Sequence, residues 1–167
     1  MNKINIASLP AEDHRSPNKA YAAIFQQCSE PLGRDPDSTD LLKRHPFDVE
    51  VTRIPAGAKN FPYHAHSAQW EYYIILTGKG WVRGPDDEYM NIEADDHFLF
   101  KPGEAHQLGA AKDSDLLYYV ISDNPMSDAC YYPDSKKWAV RCGKQRARGT
   151  ITPKEYFDDE NDSPSSS

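Results

Sequence analysis

Long apolar runs are missing from this chain of 167 residues, and so is any excess of positive charge. Without such a run no helix can span a bilayer, and the first residues lack the charged-then-apolar pattern of a secretory leader. Lys and Arg number 19 against 26 Asp and Glu, a net charge of -7. That balance argues against nucleic acid and against a membrane as partners. Cysteine is also scarce. Cys28, Cys130 and Cys142 are odd in number, far apart and without a CxxC pair. They suggest neither a disulfide framework nor a thiolate zinc site, so a reducing cytoplasm is the expected setting and burial as small apolar residues the default for all three. No nucleophile elbow, phosphate loop or nucleotide fingerprint is present.

What is present is β-type punctuation. From residue 47, short runs rich in Val, Ile, Tyr and Phe alternate with Gly, Pro and Asp turns. The pattern predicts strands at 47–54, 63–66, 71–76, 81–83, 88–92, 97–100, 106–108 and 116–122. Turns are expected at Pro55-Ala56-Gly57, Thr77-Gly78-Lys79-Gly80, Gly84-Pro85-Asp86-Asp87, Ala94-Asp95-Asp96, Pro102-Gly103-Glu104 and Lys112-Asp113-Ser114. Many short strands with tight turns point to an all-β sandwich or barrel. The expected organisation is an N-terminal arm over 1–44, a barrel over 45–125, a C-terminal arm over 126–156 and a disordered acidic tail over 157–167. Residues 20–27 read as strand or short helix, 33–39 as loop. The aromatic, Pro-interrupted stretch 130–138 reads as an arm packed on the barrel rather than a further strand.

The residues that carry chemistry lie in the middle. His64 and His66 are two apart, so on a strand both imidazoles face the same way. Glu71 lies five beyond, and a turn or bulge at Ser67-Ala68-Gln69 must reset the parity for it to join them. His106 follows a Pro-Gly turn forty residues later. Three imidazoles and one carboxylate can close around one divalent ion. Mixed N and O donors suit Fe, Mn, Ni, Cu or Zn and disfavour Ca and Mg.

At this point the chain resembles the cupin superfamily. Gly57, six residues, His64-Ala65-His66, four residues, Glu71, six residues and Gly78 match its first motif with the first spacer one residue long. Gly103-Glu104-Ala105-His106 matches the centre of the second motif. Asp95, Lys101 and Ala110 depart from it at positions that shape turns rather than bind. The resemblance implies a cupin-type jelly-roll β-barrel, or double-stranded β-helix, and one transition-metal ion per chain held by His64, His66, Glu71 and His106.

The remaining candidates are weaker. Tyr73, two past Glu71, should point inward and either bind substrate or fill the barrel. Glu71 itself is a candidate base. His97 reads as an exposed strand histidine, and Gln107 should point away from the ion. Tyr131, Tyr132 and Trp138 read as packing rather than as a lid.

The function expected is a metal-binding cupin acting on a small organic molecule, whether or not it is an enzyme. If it is one, a mononuclear metal oxygenase or dioxygenase fits best. The alternatives are a metal-dependent sugar or sugar-phosphate isomerase or epimerase, and a non-enzymatic small-ligand-binding cupin. Arg53, Arg83 and Lys101 are the barrel cations a phosphate would need. A homodimer is expected, on the argument that the strands starting at Phe47 and Leu116 lie at sheet edges and need covering.

Overall fold

The computed structural model describes residues 1–142 and 144–160. The order of strands is β1 (Glu12–Arg15), β2 (Ala22–Gln27), β3 (Phe47–Ile54), β4 (Ala65–His66), β5 (Glu71–Arg83), β6 (Tyr89–Glu93), β7 (His97–Phe100), β8 (Gln107–Ala110), β9 (Leu116–Asp123), β10 (Ser127–Tyr132), β11 (Lys137–Cys142) and β12 (Gln145–Gly149), with one helical turn, α1 (Leu41–Arg44), before β3. The larger sheet runs β1-β2-β3-β9-β5-β6, with β7 and β8 also paired to β5. The smaller sheet runs β12-β11-β10-β4. The two sheets make an all-β jelly roll that does not close into one continuous hydrogen-bonded barrel.

β5 is the organising strand, and it departs from the sequence expectation. Two strands separated by a turn at Thr77-Gly78-Lys79-Gly80 were expected; a single strand of 13 residues is found. Its first half pairs with β7 and β9, its second half with β6 and β8, and the register slips between Ile75 and Thr77. Gly78 sits there with φ +91°, and a Cβ on it would lie 1.8 Å from the Asp115 carbonyl oxygen. Glycine inside a strand can mark a bulge as well as a turn, and here the bulge bends the strand from one face of the fold to the other.

Alternation on β5 buries Tyr73 and Ile75 and turns Tyr72 outward. They join Ile54, Val82, Ile92, Phe100, Leu108, Leu116 and Tyr118 in the main core.

The arms are more regular than their composition implies. Residues 22–27 are strand, not helix, and β2 pairs with β3. β3 therefore has β2 on one side and β9 on the other, and β9 lies between β3 and β5. Neither is an edge strand, which removes the premise of the dimer argument. The C-terminal arm, read as irregular, is the hairpin β10–β11 extended by β12, and β10 pairs with β4. Pro133 and Asp134 do not interrupt it, because those two sit in the connection between β10 and β11. Arg44, 1 % exposed, ties the N-terminal arm down by donating to the carbonyls of Asn124 and Pro125. Of the acidic tail, residues 161–167 lie outside the described residues, and 156–159 form a turn. Cys28 is buried, as expected, whereas Cys130 is only half-buried; the side chain of Cys142 lies outside the description. Among the described residues no helix is long and apolar enough to cross a membrane.

Candidate metal centre

Strand β4 is only two residues long, but it fixes two of the four candidate ligands. His64, just before it, exchanges backbone hydrogen bonds with His106, at 3.1 Å from His64 N and 2.8 Å from His106 N. The two histidines predicted to converge from distant strands are thus clamped side by side. Lys101-Pro102-Gly103-Glu104 forms a turn closed by the Glu104 N–H on the Lys101 carbonyl, with Gly103 at φ +87°. Pro then Gly at the two central positions is the type II pattern. Gly103 N–H also donates to the His66 carbonyl at 2.7 Å, so the turn that aims His106 is fastened to His66.

The parity reset expected at Ser67-Ala68-Gln69 is real. The chain leaves β4 at His66, and Glu71 starts β5 facing the same space. One ligand atom each from His64, His66 and Glu71 lies within 4.8 Å of the others. His106 joins through Glu71: its Nε2 is 2.8 Å from Glu71 Oε2, and His66 Nε2 is 3.6 Å from Glu71 Oε1. All four sequence-predicted ligands are therefore brought together. Phe100 stacks flat on His106, with centroids 4.2 Å apart, and Tyr132 stacks on His64 at 5.9 Å.

The outward nitrogens are all spoken for. His64 Nδ1 donates to the Pro62 carbonyl at 2.8 Å, and His106 Nδ1 is 3.2 Å from the Glu104 carbonyl. His66 Nδ1 lies 2.6 Å from Asp128 Oδ2. With Nδ1 donating outward, each imidazole, when neutral, presents its Nε2 lone pair inward. A lone pair on His106 and a carboxylate oxygen of Glu71 cannot face one another at 2.8 Å unless a proton or a metal cation lies between them. The donor set thus fits a divalent ion.

Electrostatics agree for His64 and Glu71. Burial pushes the His64 imidazole down to about 3, reinforced by His106 and His66, so it is neutral and able to ligate. Burial would raise the Glu71 carboxyl, but the hydrogen bond and charge of His106, with the other two histidines, hold it well below the usual range. His66 differs: burial works against charge on it, yet the Asp128 carboxylate, Cys130 and Glu71 outweigh burial and raise the imidazole to about 11, so a metal must displace its Nε2 proton to be bound there.

Sequence reasoning missed Asp128. It sits on β10 in the C-terminal arm and also accepts from Ser67 Oγ at 3.1 Å and Ala68 N–H at 2.9 Å. One carboxylate therefore orients His66 and holds the turn that brings Glu71 round. Such carboxylate–histidine pairs fix ring orientation at metal sites. His66, Asp128 and Cys130 form a second group of ligand-type atoms. Because Asp128 occupies the Nδ1 side of His66, that group supports the first rather than competing with it.

The other candidates fall as follows. Tyr73 points inward as expected, but its hydroxyl donates to Glu71 Oε2 at 2.9 Å and so is engaged in the cluster. His97 is exposed and bonded to the Tyr72 hydroxyl at 2.8 Å. Gln107 is buried away from the cluster, donating to the Phe61 carbonyl. Tyr131 and Trp138 pack on each other, whereas Tyr132 lines the cavity beside His64. Arg53, Arg83 and Lys101 pair with Asp115, Asp134 and Glu104.

The cluster opens on a cavity of about 820 Å³ between the sheets. Its lining includes Gln27, Asp48 and Glu50, and Arg141, Arg146 and Arg148 from β11 and β12. Glu50 accepts from Thr52 Oγ1 and Gln27 Nε2, both at 2.6 Å. Burial pushes its carboxyl up to about 7.

Comparison with family models matches residues 50–122 to the cupin domain. The chain belongs to the cupin superfamily. Among solved structures, a sugar phosphate isomerase from a cupin superfamily in Silicibacter pomeroyi aligns with 89% of this chain and 92% of its own, at 18% identity and TM-score 0.74. A polyketide cyclase from Streptomyces resistomycificus aligns with 75% of this cupin and 80% of its own chain, at 16% identity and TM-score 0.60. Identities this low establish the shared fold and nothing finer. Comparison with curated proteins finds no match.

Proposed function

We propose that this cupin binds one divalent transition metal through His64, His66, Glu71 and His106 and acts on a small polar organic molecule in the adjoining cavity. The observation that carries this is the inward convergence of the three imidazoles and Glu71, with every imidazole Nδ1 held from behind. A bound ion would supply Lewis-acid polarisation of substrate oxygens and, if redox-active, oxygen-dependent oxidation. Asp128 and the backbone carbonyls keep the imidazoles oriented, and Tyr132 and Phe100 shield their faces. Glu71 is a poor base, because the histidines suppress its basicity. Glu50, held near 7, is better matched to moving a proton near neutral pH.

The first reaction class is that of a mononuclear oxygenase or dioxygenase. One observation supports a second, metal-assisted isomerisation of a sugar or sugar phosphate. The barrel cations are committed elsewhere, and Arg146 is paired with Asp37, but Arg141 and Arg148 also line the cavity and offer what an anionic substituent requires. The Silicibacter pomeroyi structure is described as such an isomerase and matches over the arms as well. Oxygen uptake by the metal-loaded protein with catechol-type and thiol substrates, beside turnover of aldose and ketose phosphates, separates the two. Uptake alone supports the oxygenase; phosphate-sugar turnover without uptake supports the isomerase; neither, with tight small-molecule binding, leaves the non-enzymatic binding protein. The proposed setting is the cytoplasm, in keeping with the unpaired Cys28 and Cys130.

A further inference from the structure

Three side chains that line the cavity carry buried polar atoms without a partner among the described residues. Gln27 gives its amide N–H to Glu50, which leaves Gln27 Oε1 a buried acceptor with no partner among the described residues. Asp48 gives Oδ2 to Arg34 at 3.1 Å, and its Oδ1 is likewise buried and unpartnered. Arg34 is 8 % exposed and spends its terminal nitrogens on Glu30, Asp48 and Asn124, while its Nε–H is without a partner. All three side chains line the same cavity. Native folds seldom leave buried polar atoms unpaired, and three along one cavity wall indicate something that binds there.

Strand register places these atoms relative to the metal centre. Asp48, Ser122 and Glu71 are successive cross-strand partners on β3, β9 and β5. Gln27, Glu50, Val120 and Tyr73 form the neighbouring row across β2, β3, β9 and β5. Asp48 is thus two strand steps from Glu71, about 10 Å at the usual inter-strand spacing. One small molecule can touch both ends.

The pattern of unsatisfied atoms selects its chemistry. Two acceptors and one donor belong to side chains that line the cavity. A carboxylate or phosphate at this wall would meet the Asp48 carboxylate. An ammonium group would satisfy the acceptors but leave the Arg34 N–H unpaired. Hydroxyl groups donate and accept together, so adjacent hydroxyls answer all three atoms. We propose that Gln27, Asp48 and Arg34 form a hydroxyl-recognition subsite and that the substrate is a polyhydroxylated small molecule such as an aldose, a ketose or a polyol. This rests on the cavity being the substrate site. It holds for either reaction class.

Calorimetric titration of the metal-loaded full chain tests the subsite. The probes are D-ribose, D-glucose, D-fructose, ribitol and D-mannitol, with cyclohexanol as a control bearing one hydroxyl. A site built to pair with hydroxyls rejects an analogue that lacks them. At least one polyhydroxylated probe should bind and cyclohexanol should not. Gln27→Leu and Asp48→Asn should each weaken that binding tenfold or more, with metal content and circular dichroism unchanged. If Asp48→Asn loses its fold along with the Arg34 pair, Gln27→Leu alone carries the comparison. No binding by any polyhydroxylated probe, or undiminished binding in a folded variant, overturns the proposal. A wild-type protein that binds a polyol through Gln27 but takes up no metal would instead overturn the metal-centre reading and leave the subsite standing.

Discussion

Asp128 Oδ2 lies 2.6 Å from His66 Nδ1, although the two residues are 62 positions apart. The contact joins the C-terminal arm to the strand that carries His66, because β10 pairs with β4 at Cys130–His66 and Tyr131–Ala65. The arm is therefore part of the site and not an accessory to it.

Asp128→Ala should weaken metal binding about 10- to 100-fold, the range typical when an outer partner of a ligating histidine is lost. Competition with a chromogenic chelator measures it. Asp128→Asn, which keeps the shape and one acceptor, should fall between wild type and Ala. Equal affinity in all three proteins would show that His66 needs no orienting carboxylate.

Glu50 gives a pH dependence of defined sign. Burial is the main cause of its rise from 4.5 to about 7, with repulsion from Asp48, Glu71 and Glu12 adding to it and the Thr52 hydrogen bond opposing it. A carboxyl that holds its proton more tightly when folded favours the folded state at low pH. Its contribution declines as pH rises from about 4.5 to 7. Glu50→Gln removes this titration. The variant should therefore gain stability relative to wild type between pH 5 and pH 8, by up to about 3 kcal/mol at about 1.4 kcal/mol per pKa unit. Urea unfolding in the presence of chelator, at both pH values, reads the difference. A gap that is constant with pH would mean that Glu50 titrates as an ordinary surface carboxyl.

Gly78→Ala should destabilise the fold by roughly 1–3 kcal/mol, because a Cβ there meets the Asp115 carbonyl and the backbone is left-handed. Thermal unfolding should show a drop of several degrees. An unchanged melting temperature would mean that the bulge relaxes at no cost.

Much of the site was legible because it depends on short-range rules. His64 and His66 share a face by strand parity, and Lys101-Pro102-Gly103-Glu104 encodes the type II turn that positions His106. The fold class was legible from the same punctuation. Gly78 was ambiguous, since a glycine between apolar runs signals a turn or a bulge equally well. Asp128 and the cavity wall were not legible. Asp128 acts through a pairing between strands far apart in sequence, within an arm whose Pro133 and Asp134 looked like interruption. Gln27, Asp48 and Glu50 are polar residues next to apolar ones, and only the stacking of β2, β3, β9 and β5 shows that they face a cavity.

Assembly is a separate proposal. The edges exposed among the described residues are not β3 and β9 but include β1, β6, β7 and β12, and β1 carries Glu12, Asp13, His14 and Arg15, charges that discourage strand pairing. β6, β7 and β12 are then edges on which a homodimer would form. Sedimentation equilibrium at micromolar concentration should give twice 18.9 kDa. A mass of 18.9 kDa would mean that the arms serve only their own chain.

Metal content of the purified protein, measured by mass spectrometry of the elements without chelator in any step, bears most directly on the central claim. Wild type should carry about one transition-metal ion per chain. His64→Ala and His106→Ala should each lose most of it, whereas His97→Ala, altered at an exposed histidine of β7, should retain it. Full occupancy in the His106 variant, or no transition metal in a wild-type protein offered Fe, Mn, Ni, Cu and Zn, would contradict the account.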